Sequence, residues 1–289
     1  MKFGLAFASS VAFGPADAIE MCRVAERAGF DSVWGGEHVI MPTGIESSYP
    51  YTPDGKVPVT HDTPIPDPLI WLAYVAAAAP TLRLGTCILI VPQRNPLVLA
   101  KELATLDLLS NGRVELGIGV GWMREEFEAL GIPWEARGAR TDEYIEAMRL
   151  LWSGPAVEFH GNFVDFDELT CSPQPPSGTI PVIVGGDTSA AVKRAARLGD
   201  GYFPGSSDLE TLARLLASLR ETAQAFDRDP GSIEISTIFG DLLAEPLKGV
   251  EERSQLGVDR MMIPAFFFMG EVGLERLEEF GEKVIAASS

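Results

Sequence analysis

Short apolar runs that stop at glycine or a polar residue alternate with helix-length segments along the whole chain, and few architectures accept that order. Lys2–Ser9 predicts a buried strand. Pro15–Ala28 predicts a helix, with Ile19, Cys22, Val24 and Ala25 at near-helical spacing and Gly29 as its stop. Phe30–Trp34 predicts a second strand, and strand, helix, strand at this spacing is a parallel crossover unit. Further strands are predicted at Leu82–Val91, Arg113–Gly119, Ile180–Val184, Gly201–Phe203, Ile233–Phe239 and Arg260–Pro264. The helices between and after them are Leu69–Ala79, Pro96–Leu109, Trp122–Leu130, Ala139–Trp152, Ser189–Leu198, Leu209–Phe226, Pro246–Leu256 and Gly270–Ala287. That makes roughly eight strands alternating with helices, with no linker, repeat or low-complexity tract. The expectation is an α/β fold of a single domain, residues 1–289: a (β/α)8 TIM barrel with insertion loops at its C-terminal rim.

The charge balance narrows the partners. With 41 acidic against 23 basic side chains, the formal charge is −18. This excess argues against nucleic acid or an anionic membrane as the main partner, and any anionic cofactor would need a local amide-rich or basic seat. Cys22, Cys87 and Cys171 are far apart and odd in number, and His38, His61 and His160 show no metal spacing, so no metal site is expected. The N-terminal apolar run is too short for a signal peptide and none is long enough to span a membrane, which points to a cytoplasmic protein.

Two regions break the rhythm. Ile40–Pro68 is proline-rich, carries Tyr49, Tyr51 and His61, and has no helical period. A loop of this length suggests a lid on the substrate side, the alternative being a passive surface insertion. Asp67 is placed to cap the next helix, with Pro68 at its first position. Ala156–Pro181 suggests a small hairpin around His160-Gly161-Asn162.

In a barrel of this kind chemistry gathers where strands end. The predicted ends are Gly35-Gly36-Glu37-His38, Thr86-Cys87-Ile88, Gly119-Val120-Gly121-Trp122 and Gly185-Gly186-Asp187-Thr188. A histidine just past a strand can exchange a proton near neutral pH, the plainer alternative being a ring that fixes its loop. Glu37 could assist it or be a buried structural carboxylate. Gly185, Gly186 and Thr188 before a helix form a plausible phosphate seat. Asp187 is the awkward member, unless its oxygen caps the helix and faces away from the ligand. The triplet Gly117-x-Gly119-x-Gly121 lacks the GxGxxG spacing of a nicotinamide dehydrogenase and is a weak signal alone.

The chain resembles the luciferase-like monooxygenase superfamily, and within it the coenzyme F420-dependent oxidoreductases. The resemblance is carried by AERAGFDSVW, Glu37-His38, LRLGTCILIVPQRNP, NGRVELGIGVGW with REEFEALG, the VGG exit and AARLGDGYF. It implies an oxidoreductase that passes a hydride between F420 and a small organic substrate. FMN is the alternative cofactor, in a two-component monooxygenase fed reduced FMN by a separate reductase. A ligand-binding barrel without turnover is the alternative from another class. The resemblance also implies a non-proline cis peptide at Cys87–Ile88 behind the cofactor's central ring. His38 would lie near the reacting ring, with Glu37 tuning or orienting it. Gly119, Gly121 and Trp122 would line the ring, and Gly185, Gly186 and Thr188 the phosphate, with Asp187 departing from the small residue common there. A homodimer through helices beside the second and third crossovers is implied as well.

Overall fold

The structure is a computed structural model that describes residues 1–240 and 245–288. Its first crossovers are β1 (Lys2–Ala6), a short α1 (Ala8–Val11), α2 (Pro15–Arg27), β2 (Ser32–Gly35) and α3 (Pro68–Val75). Asp67 caps α3 as expected, accepting from the Leu69 and Ile70 amides at 2.9 and 3.0 Å. The apolar run predicted as one strand splits into β3 (Arg83–Thr86) and β4 (Leu89–Ile90), and the Cys87–Ile88 peptide between them is cis. Then come α4 (Pro96–Leu109), β5 (Val114–Gly119), α5 (Arg124–Ala129) and α6 (Arg137–Ser153). The predicted hairpin is β6 (Val157–His160) and β7 (Asp165–Leu169), paired antiparallel outside the main sheet. The chain continues through β8 (Val182–Gly185), α7 (Ser189–Leu198), β9 (Gly201–Phe203), α8 (Leu209–Ala225), β10 (Glu234–Ile238), α9 (Pro246–Gln255), β11 (Arg260–Pro264) and α10 (Gly273–Phe280).

Every pairing in the main sheet is parallel, and β1 pairs with β11 from Lys2↔Arg260 to Ala6↔Pro264, which closes the ring. Both β3 and β4 pair with β5, so together they form one stave, and the barrel has eight, as the alternation predicts. The main core lies between staves and helices. A smaller cluster of Ala6, Trp34, Cys87, Ile183, Phe203 and Met262 fills the lumen.

The lumen is layered by side-chain size. The fully buried indole of Trp34 lies against Gly4, Gly85 and Gly117, and a Cβ on Gly85 would collide with its ring. Beneath it, Arg260 is fully buried and meets Glu115 at 2.7 Å, Glu234 at 2.9 Å and Asp31 at 3.1 Å. Arg83 also pairs with Glu115, and Lys2 reaches Glu234 at 2.5 Å. Burial pushes the Glu115 carboxyl up, but the charges of Arg260 and Arg83 outweigh it and hold it below its ordinary value. Charge therefore closes the N-terminal end, and the other end is left for ligands.

Candidate active site

The C-terminal ends of β2, β5, β8 and β9 surround one mouth. His38 follows β2, and its Nδ1 lies 3.1 Å from Oε2 of Glu126, in the first turn of α5. Glu126 is fully buried, and its Oε1 accepts from the Val39 amide at 2.7 Å and the Ile40 amide at 3.4 Å. Trp122 packs edge-on to the imidazole, with ring centroids 5.9 Å apart and planes at 86°.

Glu37 does not meet His38. It points the other way, accepting from the Ile90 amide at 2.5 Å and from Arg94 Nε at 2.9 Å, while Arg94 also holds Asp67 at 2.6 Å. Burial pulls the Arg94 pKa down, but the carboxylates of Glu37 and Asp67 outweigh it and keep the guanidinium charged. The expectation that Glu37 orients His38 is corrected: Glu126 makes that contact, and Glu37 braces β4 and the start of α3.

The Ile40–Pro68 loop crosses the mouth. Its Tyr49 ring packs on Trp122 at 5.1 Å and on Tyr51 at 5.4 Å. Tyr51 lies over Gly205 and beside Gly186, where added Cβ atoms would meet its ring or hydroxyl. Glu125 pins the middle of the loop, accepting from the amides of Glu46 at 2.7 Å and Ser47 at 2.9 Å and from the Ser47 hydroxyl at 2.7 Å. Adjacent carboxylates on α5 thus hold the loop at its start and its middle.

Desolvation pushes the Glu125 carboxyl up slightly, but the Ser47 hydroxyl and the surrounding amides bring it down to about 2. Because the folded pKa is depressed, this clamp is complete above the ordinary carboxyl value of 4.5 and is lost as pH falls toward 2. At neutral pH, Glu125→Gln should let a protease cut between residues 47 and 66 several-fold faster. The thermal midpoint should move by less than about 2 °C, because the group is only partly buried and its partners lie in a surface loop. Unchanged cleavage would remove Glu125 from the clamp.

The glycine-rich ends divide into two kinds. At β5 the space beside Gly119 is filled by the Ile88 side chain, and that beside Gly117 by the Thr86 carbonyl. Gly121 adopts φ +81° against Phe127 and Ile90. These glycines admit the Cys87–Ile88 bulge, so Gly119 and Gly121 have only backbone to offer a ligand. Cys87 is buried and accepts from the Phe7 amide at 3.4 Å, and burial pushes its thiol up to about 12, so it is no nucleophile.

At β8, Gly185 and Gly186 remain partly open, Gly186 with φ +113°. Thr188 caps α7 by accepting the Ala191 amide at 3.2 Å, so the cap is Thr188 and not Asp187. Asp187 turns aside to accept the Gly205 amide at 2.7 Å. Partial burial pushes its carboxyl above the ordinary value, against the Gly205 and Ser206 amides. With Asp187 averted and no acidic side chain in the first turn of α7, this end fits a phosphate.

Sequence reasoning missed Glu126, Glu125 and Arg94. Glu126 lies beside the core residue Phe127, but nothing in that run distinguishes it from Glu125 and Glu128 by sequence alone.

A closed parallel barrel with its polar strand ends gathered at one rim defines a barrel protein whose chemistry sits at that rim. The chain belongs to the luciferase-like monooxygenase family, whose pattern matches residues 1–258, within a superfamily of flavin- and deazaflavin-binding oxidoreductases and monooxygenases. It is 33% identical over 277 residues to an uncharacterised Mycobacterium tuberculosis protein, covering 93% of this chain and 94% of that one. It is 32% identical over 227 residues to an F420-dependent glucose-6-phosphate dehydrogenase of Amycolatopsis mediterranei, covering 76% and 63%. Among solved structures, the coenzyme F420-dependent tetrahydromethanopterin reductase of Methanopyrus kandleri superposes with a TM-score of 0.79 at 18% identity, covering 100% and 99%. Among the described residues no helix is long and apolar enough to cross a membrane.

Proposed function

We propose that this protein is an F420-dependent oxidoreductase acting on a small organic substrate in the cytoplasm. The observation that carries the reading is an imidazole held by a buried carboxylate between a phosphate-type seat and an aromatic loop. The identity to an F420-dependent dehydrogenase favours the deazaflavin over FMN. When bound, the cofactor supplies hydride transfer at C5.

The chain's own residues do the rest. Gly185, Gly186, Thr188 and the start of α7 hold the phosphate, with Asp187 fixing the β8 exit to the β9 exit. Cys87 and Ile88 back the ring, with Gly119 and Gly121 behind them and Trp122 at its side. His38 gives or takes the proton that accompanies hydride transfer at the substrate oxygen or nitrogen. The loop from Ile40 to Pro68 covers the substrate and excludes water.

The deciding experiment titrates the purified protein with F420 and, separately, with FMN. F420 should bind tighter by about tenfold or more. Submicromolar FMN binding with none for F420 would instead make it the oxygenating half of a two-component monooxygenase with a separate reductase. Bound F420 that no alcohol, aldehyde or other hydride donor reduces would leave a ligand-binding barrel without turnover.

We also propose a homodimer. Ile70 and Tyr74 on α3 and Val98 and Leu109 on α4 are exposed apolar residues on neighbouring helices beside the second and third crossovers. Light scattering should give twice the chain mass of 31.2 kDa, and a monomer mass after Leu109→Glu with Ile70→Glu. A wild-type monomer at working concentration would sink the dimer.

A further inference from the structure

We infer that Glu126 is a positioning residue that sets the tautomer of His38, so that Nε2 is the ring nitrogen that exchanges the proton. The inference rests on the proton-carrying role proposed for His38 and adds which atom acts and what fixes it.

The argument starts from the donor inventory. An ionised carboxylate only accepts hydrogen bonds, whereas a neutral imidazole donates from one nitrogen and accepts at the other. Oε1 of Glu126 takes the Val39 amide at 2.7 Å, so that oxygen already serves as an acceptor. Oε2 faces Nδ1 at 3.1 Å, and the bond forms only if Nδ1 carries the hydrogen. Among the described residues Nε2 has no hydrogen-bond partner, and the side chain is 14% exposed. A half-turn of the ring would put Cδ2 in place of Nδ1 and cost the Glu126 bond. In its neutral form, then, His38 offers Nε2 as a base; once protonated there, it can return that proton as an acid.

The placement of Glu126 suits this task better than a purely structural one. It is fully buried on a helix of only 6 residues, and among the described residues its side-chain hydrogen bonds go to residues 38, 39 and 40. Its sequence neighbour Glu125 reaches the same loop further on, at Glu46 and Ser47, and does not touch the imidazole.

The chain has only 3 histidines, so the ring nitrogens can be followed directly by nitrogen-15 NMR of the protein without cofactor. His38→Asn identifies the His38 signals by their loss. Above the titration of the ring, wild-type His38 should show a protonated Nδ1 and an unprotonated Nε2. In Glu126→Gln the amide oxygen takes over the Val39 N–H and the amide NH2 faces Nδ1, so the tautomer should invert. The same variant should lower kcat about 10²-fold or more with KM within about threefold, the pattern of a mis-set tautomer. Glu126→Asp should restore the wild-type tautomer and part of the activity. A wild-type His38 protonated on Nε2, or a tautomer unchanged in Glu126→Gln, overturns the inference. If Glu126→Gln does not fold, the wild-type spectrum alone still decides. A correct tautomer alongside full activity in His38→Asn would overturn the proton-carrying role of His38 and leave Glu126 only holding the ring in place.

Discussion

His38→Asn should cut kcat for F420-coupled turnover by about 10²–10⁴-fold, the usual contribution of a placed proton carrier. Asparagine keeps the side chain polar and can still donate to Glu126, so the loop contacts of Val39 and Ile40 are preserved. F420 affinity should stay within about threefold, because the proposed phosphate seat lies across the mouth on β8. The loss should therefore fall on kcat and not on binding. Pre-steady-state reduction of bound F420, followed by its absorbance, would check this. Less than a tenfold loss would mean that the proton is handled elsewhere and that the ring only anchors its loop.

Arg260→Met should destabilise the fold by about 3–5 kcal/mol, the range for breaking a buried ion pair by removing one partner. For a chain of this size that is a fall in thermal midpoint of about 10 °C. Removing the guanidinium leaves Glu115 buried with Arg83 alone and releases Glu234 and Asp31 from their shared partner. The pH dependence follows from the depressed Glu115 pKa: its stabilisation is complete above the ordinary carboxylate range and is lost as pH falls through the lowered value. The variant's stability should accordingly depend less on pH on the acid side. Adding Glu115→Gln should recover part of the loss, since the stranded charge is then gone. Calorimetry of the two variants tests both statements, and a loss below 1 kcal/mol for Arg260→Met would show that the network is not needed.

The barrel was legible because its evidence is local. Each stave is a short apolar run, each helix has its own period and stop, and Asp67 and the His160 hairpin carry their signals within a few residues. The site was legible only in outline, since its contacts join residues far apart in sequence. The resemblance has Gly119 lining a ring, but the space beside Gly119 is taken by Ile88 and that beside Gly117 by Thr86, roughly thirty residues earlier. Glu37 was paired with His38 because they are adjacent. Both lie past the end of β2, and Glu37 turns to Ile90 and Arg94 while His38 turns to Glu126. Glu126 sat in the acidic run Arg124–Ala129, where one carboxylate of three is buried and nothing nearby in sequence marks which.

The charged plug around Arg260, roofed by the Trp34 indole, gives the barrel a single doorway. On the proposed reading, a flat cofactor resting against Cys87–Ile88 would come through it before a substrate settles above, and the product would depart while the cofactor stays beneath. Turnover would then be a queue, and steady-state inhibition patterns should show a fixed order of arrival with the cofactor first.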